Sequence, residues 1–515
     1  MTGPTARIDF RERVVIPLAL SAVTVFLFLP TIGFEYVQYD DPHYAYGIAE
    51  LEQGINARTL RWALTNTIGT YWHPVASLFQ LFAANVVGLD PGPQHLVSAL
   101  LHAVTAGALY YVLRLSGLAV GLAFAGAALW AWHPMRVEDV AWVTARPDIL
   151  LALLCVLTLG AYTAYARRPC AWRYAAVALC FALAMLTKPA VPALPVGLFL
   201  FDLWPLGRMG RTWGESRWRG VARLAWEKVP LLLLGGVVAV VAMRPTAGVV
   251  SNLRPTLGPI ERILAIAAGC AWSVLKTFVP TDLAVLYPWS GAWPRGASIL
   301  ALILLLAATA CVLWSRRLPL ITAWGWSAVM LMPVLAASGQ RASWVADRYT
   351  SIPHMVFFVG LLAAFSTRQE RGEPVHDAPR LVLRFASGAA VIFALLSLLQ
   401  VQHWRNSESL FTHALAVTRD NPIVHYNFGV ALQEQGRTRE AIEQYTAALR
   451  VKPDYLDARV NLGAALEVLG DRAGAERQYR NALRLAPDDP DARANLDALR
   501  AGGSTLPATT RSARP

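Results

Sequence analysis

Long apolar stretches are the feature that most constrains how this chain can fold. The first runs from Val14 to Phe34, and others follow at intervals up to about residue 400. A helix needs about 20 apolar residues to cross a bilayer. The chain has 515 residues, of which 55% are hydrophobic and only 16% are charged, whereas a soluble domain carries about 25% charged residues. The sequence therefore predicts a membrane protein and excludes a soluble enzyme.

These stretches predict about eleven membrane-spanning helices, of which the one at 190–204 is short. One further stretch, 260–279, contains Glu261, Arg262 and Lys276, which favours a position along the membrane interface. The predicted fold class is all-α, a polytopic helical membrane bundle. The predicted spans are 14–34, 94–113, 117–132, 148–165, 172–187, 190–204, 229–243, 298–314, 318–337, 353–366 and 381–400.

Positive charge is distributed unevenly between the predicted loops, and this sets the expected orientation. With the amino terminus in the cytoplasm, arginines concentrate in the cytoplasmic loops. Those arginines are Arg167, Arg168, Arg173, Arg208, Arg211, Arg217, Arg219, Arg223, Arg316, Arg317, Arg368, Arg371 and Arg380. We therefore expect a multi-pass protein of a bacterial inner membrane with its carboxyl-terminal region in the periplasm. The net charge of +12 follows from these loops, and no nucleic-acid partner is predicted.

The carboxyl-terminal region repeats with a strict period of 34 residues. Small residues let two helices approach closely, aromatic residues fill the space between hairpins, and proline ends the second helix. The paired positions are Gly429 and Gly463, Leu432 and Leu466, Gly436 and Gly470, Ala441 and Ala475, Tyr445 and Tyr479, Ala448 and Ala482, and Pro453 and Pro487. This pattern predicts a tetratricopeptide α-solenoid over 404–500, after a membrane domain at 1–403 and before a disordered tail at 501–515.

Three loops on the predicted outer side carry ionisable residues next to spans, where burying a charge is costly. The first loop has Asp40 and Asp41 among aromatic residues. Two adjacent carboxylates suit a catalytic base or a metal site, and an Asp-Pro turn that caps a helix explains them equally well. No cofactor is required by this pattern, and a divalent cation, Mg²⁺ or Mn²⁺, is left open.

The second and third loops combine acids with arginines. Arg136 and Arg146 suit a phosphate-bearing ligand, whereas helix capping and internal ion pairs are the structural alternative. In the third loop, Asp347 and Arg348 precede a span, and a purely structural ion pair is the simpler interpretation. Lys188 adds a further cation, although single residues of this kind usually anchor helix ends.

Six segments resemble the transmembrane and tetratricopeptide repeat-containing O-mannosyltransferase family and its bacterial relatives. They follow the family's order along nearly the whole chain: Tyr39-Asp40-Asp41-Pro42, His133-Pro134-x-Arg136-Val137-Glu138-x-Val140-Ala141-Trp142-Val143, Lys188-Pro189, Leu283-Ala284-Val285-Leu286-Tyr287-Pro288, Ala346-Asp347-Arg348-Tyr349-x-x-Ile352-Pro353 and Trp404-Arg405-Asn406-Ser407. The resemblance implies a C-type glycosyltransferase fold and a polyprenyl-phosphate-linked sugar donor. The chain departs from the family in its second loop, where Ala145-Arg146-Pro147-Asp148 replaces the usual Glu-Arg-Lys-Asp.

The sequence thus predicts an integral membrane glycosyltransferase that acts on the outer face. The acceptor hydroxyl must lose a proton as it attacks the anomeric carbon, and Asp40 or Asp41 would take it, with Asp41 slightly preferred. Glu138 is predicted to orient the sugar or the acceptor, and cations would stabilise the leaving lipid phosphate. The predicted substrate-binding residues are Arg136, Asp139, Arg146, Lys188, Asp347, Arg348 and Tyr349.

The expected partners are the lipid-linked sugar, an acceptor polypeptide or glycan, membrane lipid, and a protein bound by the repeats. A non-catalytic, membrane-anchored repeat scaffold for envelope assembly is the main alternative, but it leaves the three acid-bearing loops unexplained. A transporter would place acids at mid-membrane depth, and the predicted spans carry almost none. Which sugar and which acceptor are used does not follow from the sequence.

Overall fold

The computed structural model describes residues 9–67, 72–211, 217–243, 258–288, 294–338, 344–366 and 380–502. The predicted tail beyond residue 502, together with Arg368 and Arg371, lies outside the described residues. Throughout these ranges the regular elements are helices, which confirms the all-α prediction. Several helices begin with proline in their first turn, where the missing N–H costs nothing, as Pro91 does in the helix Pro91–Leu115.

The α-helices of the described ranges are numbered in chain order. In the first part of the chain they are α1 (Ile16–Phe28), α2 (Ala49–Glu52), α3 (Ala57–Thr65), α4 (Pro74–Val87), α5 (Pro91–Leu115), α6 (Val120–Ala131), α7 (Val137–Ala141), α8 (Arg146–Arg167), α9 (Ala171–Thr187), α10 (Leu194–Leu203), α11 (Arg208–Arg211), α12 (Arg217–Trp226) and α13 (Val229–Met243). In the second part they are α14 (Pro259–Phe278), α15 (Arg295–Trp314), α16 (Leu318–Ser338), α17 (Ser351–Ser366), α18 (Arg380–Val401), α19 (Ser407–Val417), α20 (Pro422–Glu434), α21 (Thr438–Val451), α22 (Leu456–Val468), α23 (Arg472–Leu485) and α24 (Pro490–Arg500).

Eight helical segments within the described ranges are long and apolar enough to cross a bilayer. They are Arg11–Gly33, Pro91–Leu115, Val143–Arg167, Trp218–Ala242, Arg295–Trp314, Leu318–Ala336, Asp347–Ser366 and Arg380–Trp404. The predicted spans at 117–132, 172–187 and 190–204 fall on the shorter apolar helices α6, α9 and α10. The count of about eleven crossings therefore stays a prediction. The short apolar helix α4 was not predicted, and its own length is insufficient to cross.

A buried ion-pair cluster joins α8, α10, α11 and the start of α13. The carboxylate of Asp202 accepts hydrogen bonds from Tyr162 Oη at 2.6 Å and from Arg208 at 3.0 Å. Arg208 also contacts Glu227, at 2.9 and 3.0 Å. Lys228 donates to Asp202 Oδ2 at 2.5 Å and supplies the second positive charge. Because the two cations and the two carboxylates neutralise one another, the cluster satisfies its own polar groups in an apolar bundle.

Close packing within each helical hairpin explains the small residues of the repeats. A Cβ atom added to Gly429 would lie 2.6 Å from the Tyr445 ring, and one added to Gly463 would lie 2.5 Å from the Tyr479 ring. Any larger residue would therefore push the paired helices apart. Gly436 turns the chain between the helices with a φ of +76°. The tetratricopeptide architecture of the carboxyl-terminal region is confirmed.

The repeat array packs directly on the membrane bundle. The amide of Glu35 donates to the carbonyl of Arg405 at 3.0 Å, just where the array begins. Farther along, the side chain of Asn421 donates to the carbonyl of Leu286 at 3.2 Å. Buried apolar residues of the array and of the bundle belong to one continuous core. The array therefore packs against the membrane bundle as part of one folded unit, and a flexible linker does not separate the two.

Candidate active site

The three acid-bearing loops meet at one end of the bundle, although about 100 and 200 residues separate them along the chain. The hydroxyl of Thr144 in the second loop donates to Asp41 Oδ1 of the first at 2.5 Å. The amide of Arg348 in the third loop donates to Glu138 Oε2 of the second at 2.9 Å. The helix ends thus bring together residues for which the sequence predicts only a common side of the membrane.

Asp41 is fully buried and joins the first loop to the second. Its Oδ2 accepts the amide of Val37 at 3.0 Å, while its Oδ1 accepts the amide of Thr144 at 3.1 Å as well as the hydroxyl. Burial raises the pKa of Asp41 to about 6, although the Thr144 and Val37 hydrogen bonds act in the opposite direction. With both oxygens engaged, its contacts are those of a residue that holds two loops together.

Asp40 is partly exposed and has a different environment. In the described part of the chain its side-chain oxygens accept no hydrogen bond. Burial by the surrounding loops raises the pKa of Asp40 to about 7, the nearby cation Arg348 lowers it, and Asp41 raises it slightly. A carboxylate with free oxygens and a pKa near neutrality is suited to accept a proton from a bound hydroxyl.

Arg348 is held by Glu138 and by two aromatic rings. Its guanidinium and its amide both bond to the Glu138 carboxylate, which is buried. The guanidinium carbon lies 5.3 Å from the ring centroid of Trp142 and 5.4 Å from that of Tyr349. Even so, 21% of the Arg348 side chain remains exposed. Glu138 therefore fixes the orientation of a cation that still faces the site.

Asp347, next to Arg348, is buried. Its Oδ1 accepts the hydroxyl of Tyr287 at 2.8 Å, and that hydroxyl in turn accepts the amide of Ala284 at 2.8 Å. Tyr287 thus connects the third loop to the segment that supports the repeat array. In the sequence, Tyr287 belongs to a family-like segment, and no pattern there predicts a role for it.

Arg136 is completely buried beneath the site. It donates to Asp139 Oδ2 at 2.6 Å, to the carbonyl of Asp347 at 3.3 Å, and to the hydroxyl of Thr350. Burial lowers the pKa of Arg136. Burial also raises the pKa of Asp139 to about 7, although the positive charge of Arg136 acts to lower it. These are internal ion-pair contacts, so the geometry does not present Arg136 or Asp139 to a ligand.

Arg146 is also buried and is engaged by α5. It donates to Ser98 Oγ at 3.1 Å and to the carbonyl of Gln94 at 2.8 Å. Lys188, by contrast, remains 34% exposed while it pairs with Asp148 at 2.7 and 2.8 Å. Of the basic residues predicted to bind substrate, Lys188 and Arg348 are therefore the two that face open space.

The sequence left open whether the carboxylates of the site bind Mg²⁺ or Mn²⁺. Nowhere in the described ranges do three or more His, Cys, Asp or Glu side chains form a group suited to hold a metal ion. The oxygens of Asp41 and Glu138 already accept hydrogen bonds, whereas those of Asp40 and Oδ1 of the buried Asp139 accept none in the described part of the chain. A site for Mg²⁺ requires several oxygen ligands, and the divalent cation stays a prediction.

Removal of Arg136 should destabilise the fold strongly. We expect Arg136→Ala to cost about 3–5 kcal/mol, because it leaves the carboxylate of Asp139 buried without its partner. Thermal unfolding of the purified protein in detergent measures the effect. Lys188→Ala is the matched control, since its partly exposed pair with Asp148 contributes about 1 kcal/mol or less. Equal unfolding midpoints for the two variants would contradict the structural role of Arg136.

Comparisons with known proteins agree with the motifs. A family model described as tetratricopeptide repeat matches residues 426–490. The chain is 25% identical to Protein O-mannosyl-transferase TMTC1 of Homo sapiens over 437 residues, which covers 74% of this chain and 48% of the human protein. It is 31% identical to Protein O-mannosyl-transferase TMTC4 of Mus musculus over 119 residues, or 22% of this chain and 16% of the mouse protein. These similarities confirm the family resemblance noted in the sequence.

The extent of these matches is limited. The chain spans about half the length of the human relative, at 48%. A crystal structure of ArnT from Cupriavidus metallidurans bound to undecaprenyl phosphate covers 87% of this chain and 81% of its own, with 17% sequence identity and a TM-score of 0.37. At that TM-score the match does not establish a shared fold.

Proposed function

We propose that this protein is a membrane glycosyltransferase that moves a sugar from a polyprenyl-phosphate donor to a protein or glycan acceptor. One observation carries the proposal. Asp40 is a partly exposed carboxylate whose oxygens accept no hydrogen bond in the described part of the chain, and the partly exposed cation Arg348, whose orientation is fixed by Glu138, acts on it electrostatically. A base and a cation for a leaving phosphate are the two groups that this transfer requires. The similarity to curated O-mannosyl-transferases supports the same reaction class.

In the proposed reaction, Asp40 accepts the proton of the acceptor hydroxyl. The hydroxyl oxygen forms a bond to the anomeric carbon, and the bond between that carbon and the lipid phosphate oxygen breaks. We propose Asp40 rather than Asp41 as the base, because both oxygens of Asp41 already accept hydrogen bonds. The sequence had slightly favoured Asp41. Asp41 acts as a positioning residue that keeps the first loop against the second.

The leaving group is a lipid phosphate whose negative charge grows as the bond breaks. Arg348 presents a planar guanidinium suited to two phosphate oxygens, and Lys188 offers a mobile point charge. Asp148 pairs with Lys188 and also acts electrostatically on Arg348. We propose that the phosphate displaces Lys188 from Asp148, while the polyprenyl chain lies between apolar helices.

We further propose that the site opens on the periplasmic side of a bacterial inner membrane. The arginines counted in the predicted cytoplasmic loops support this orientation. A single cysteine introduced on α21 of an otherwise cysteine-free variant tests it, because a membrane-impermeant thiol reagent added to intact spheroplasts should label it. Labelling only after the cells are lysed would overturn the orientation.

The proposed activity is tested with purified protein in lipid nanodiscs. The donor is polyprenyl-phosphate mannose, chosen because the curated relatives carry O-mannosyl-transferase names. The acceptors are peptides and cell-envelope glycans, and a panel of other polyprenyl-phosphate hexoses is run in parallel. Transfer of any of these sugars supports the proposal. No transfer and no hydrolysis of any donor would favour the scaffold alternative.

The rate of transfer should depend on pH in a specific way. Because the pKa of Asp40 is raised to about 7, the carboxyl is protonated below that pH and cannot accept a proton. We therefore expect kcat/KM to rise about tenfold per pH unit up to pH 7 and then to level off. Steady-state rates measured from pH 5 to 9 give the profile. A flat profile across this range would exclude Asp40 as the base.

A further inference from the structure

The end of the bundle opposite the candidate site carries a second surface of distinctive composition. Of the tryptophans whose side chains the structure describes, four are exposed, with relative exposures of 69% to 87%: Trp172, Trp218, Trp226 and Trp314. Each lies within three residues of an arginine in the sequence. Tryptophan and arginine together at the surface of a membrane protein are typical of the lipid headgroup layer, where an indole ring has one apolar and one wet side.

Helix α9 places Trp172 at that end. The helix ends next to Lys188, which pairs with Asp148 at the site. Trp172 is in its first turn and therefore lies about 22 Å along the helix from the site. The hydroxyl of Tyr174, two residues later, donates to the carbonyl of Glu227 at 2.7 Å. Because Glu227 follows the last residue of α12, that helix and its tryptophans lie at the same end.

Trp314 reaches the same end from α15, of which it is the last residue. The side chain of Arg317, three residues later, donates to the carbonyl of Ala364 at 2.9 Å. Ala364 lies about 20 Å along α17 from the start of that helix, which follows Arg348 of the site. Three separate segments thus bring their exposed tryptophans to one end of the bundle.

α12 (Arg217–Trp226) arranges tryptophan and arginine on a single face. Successive helical residues are about 100° apart, so Trp218, Arg219, Arg223 and Trp226 fall within about 140° of the helix surface. All four are exposed, whereas Leu224, on the opposite face, is buried against the bundle. The sequence of the helix contains no acidic residue. Its exposed face is therefore both basic and aromatic.

The arginines of this face have no acidic partner in the described ranges. Of the acids that flank the helix, Glu215 lies outside those ranges, and Arg208 holds the carboxylate of Glu227 at 2.9 and 3.0 Å in the buried cluster. Neither Arg219 nor Arg223 lies within 4.0 Å of a carboxylate among the residues that the structure describes. Two cations four residues apart on a helix repel each other, so an anion bound between them would stabilise α12.

We propose that α12 lies along the membrane surface opposite the site and binds the headgroups of anionic phospholipids. Arg219 and Arg223 donate to the phosphates, and Trp218 and Trp226 lie at the level of the headgroups. This surface is the cytoplasmic one in the orientation proposed above. The inference depends neither on that orientation nor on sugar transfer.

The form of α12 favours a membrane over a soluble partner. Three of its ten residues are arginine, which opposes burial in hydrocarbon, and its length of about 15 Å is half that of a span. A turn at Glu227 and Lys228 separates it from α13, which is apolar throughout. A short amphipathic helix with arginine and tryptophan on one face binds at the interface, where anionic lipids strengthen binding by about fivefold for each arginine.

Quenching of a fluorophore by spin-labelled lipids in nanodiscs tests this surface. An NBD group is attached at Ala222→Cys, an exposed position between Trp218 and Trp226, in the full-length protein without its other cysteines. The quencher is phosphatidylglycerol or phosphatidylcholine that carries a nitroxide near the headgroup end of one acyl chain. We expect quenching by phosphatidylglycerol to be stronger by about twofold or more. Equal quenching by the two lipids overturns the proposal, and so does no quenching by either, which would leave α12 to a soluble partner.

Matched variants separate the effect of charge from that of position. NBD at Leu233→Cys, 66% exposed on the apolar helix α13, should be quenched equally by the two lipids. The double variant with Arg219→Gln and Arg223→Gln should lose the preference at position 222, whereas the double variant with lysine at both positions should keep it. Because both side chains are exposed, these variants should unfold at the wild-type temperature. A preference that survives in the glutamine variant would overturn the role of the two arginines.

Discussion

Replacement of Asp40 by asparagine should lower the rate of transfer by about 10²–10⁴-fold, the usual contribution of a general base. The side chain keeps its size, but it can no longer take a proton from the acceptor hydroxyl. Because the Asp40 carboxylate accepts no hydrogen bond in the described part of the chain, Asp40→Asn should unfold at the same temperature as the wild type. The measurements are single-turnover transfer with saturating donor and thermal unfolding in nanodiscs.

The neighbouring residue provides the matched control. Asp41→Asn places an NH₂ group where the structure needs an acceptor for the N–H of Val37 or of Thr144. A buried N–H group that has lost its acceptor lowers the free energy of unfolding by about 1–3 kcal/mol. This variant should therefore lose stability and retain part of its activity. The reverse result, with Asp41→Asn stable and inactive and Asp40→Asn active, would make Asp41 the base and would overturn our order.

Replacement of Arg348 should produce the second large effect. We expect Arg348→Gln to lower kcat by about 10²–10³-fold, because the charge that develops on the leaving phosphate loses its main cation. The KM for the acceptor should change little. Arg348→Lys should recover only part of the rate, since an ammonium lacks the planar fork and the stacking on Trp142 and Tyr349.

Loss of Arg348 also leaves Glu138 buried without its partner, which alone would destabilise the site. The double variant with Arg348→Gln and Glu138→Gln removes both charges and should regain stability without regaining activity. If the double variant transfers sugar at the wild-type rate, the pair is only structural and Arg348 is not part of the phosphate site. Thermal unfolding and transfer rates of the same preparations decide between these outcomes.

The sequence alone determined the helical architecture and the repeat array. Apolar stretches of bilayer length and a strict 34-residue period are local patterns, and each restricts the chain to one kind of packing wherever it occurs. Gly429 and Tyr445 illustrate this, because a larger residue at the glycine would meet the tyrosine ring. The same patterns also indicated which loops carry charge and that they share one side.

Roles within the site depended on the tertiary structure. Asp40 and Asp41 are identical residues in one loop, and only the contacts of Asp41 with Val37 and Thr144 distinguish them. Arg136 and Arg146 matched the pattern of phosphate ligands, yet both are buried in internal hydrogen bonds. Burial and partner choice are set by residues distant in the chain, so charge pattern alone cannot reveal them.

The contact between the repeat array and the site could not be predicted from the sequence either. The repeat period predicts that the helices stack on one another, but it contains no information on which surface their ends contact. Gln38 of the first loop contacts Ser407 of the array because the segment that follows the last span turns back onto that loop. The sequence thus determined what each part of this protein is, and the tertiary structure decided which residues meet, since those contacts form between segments hundreds of residues apart.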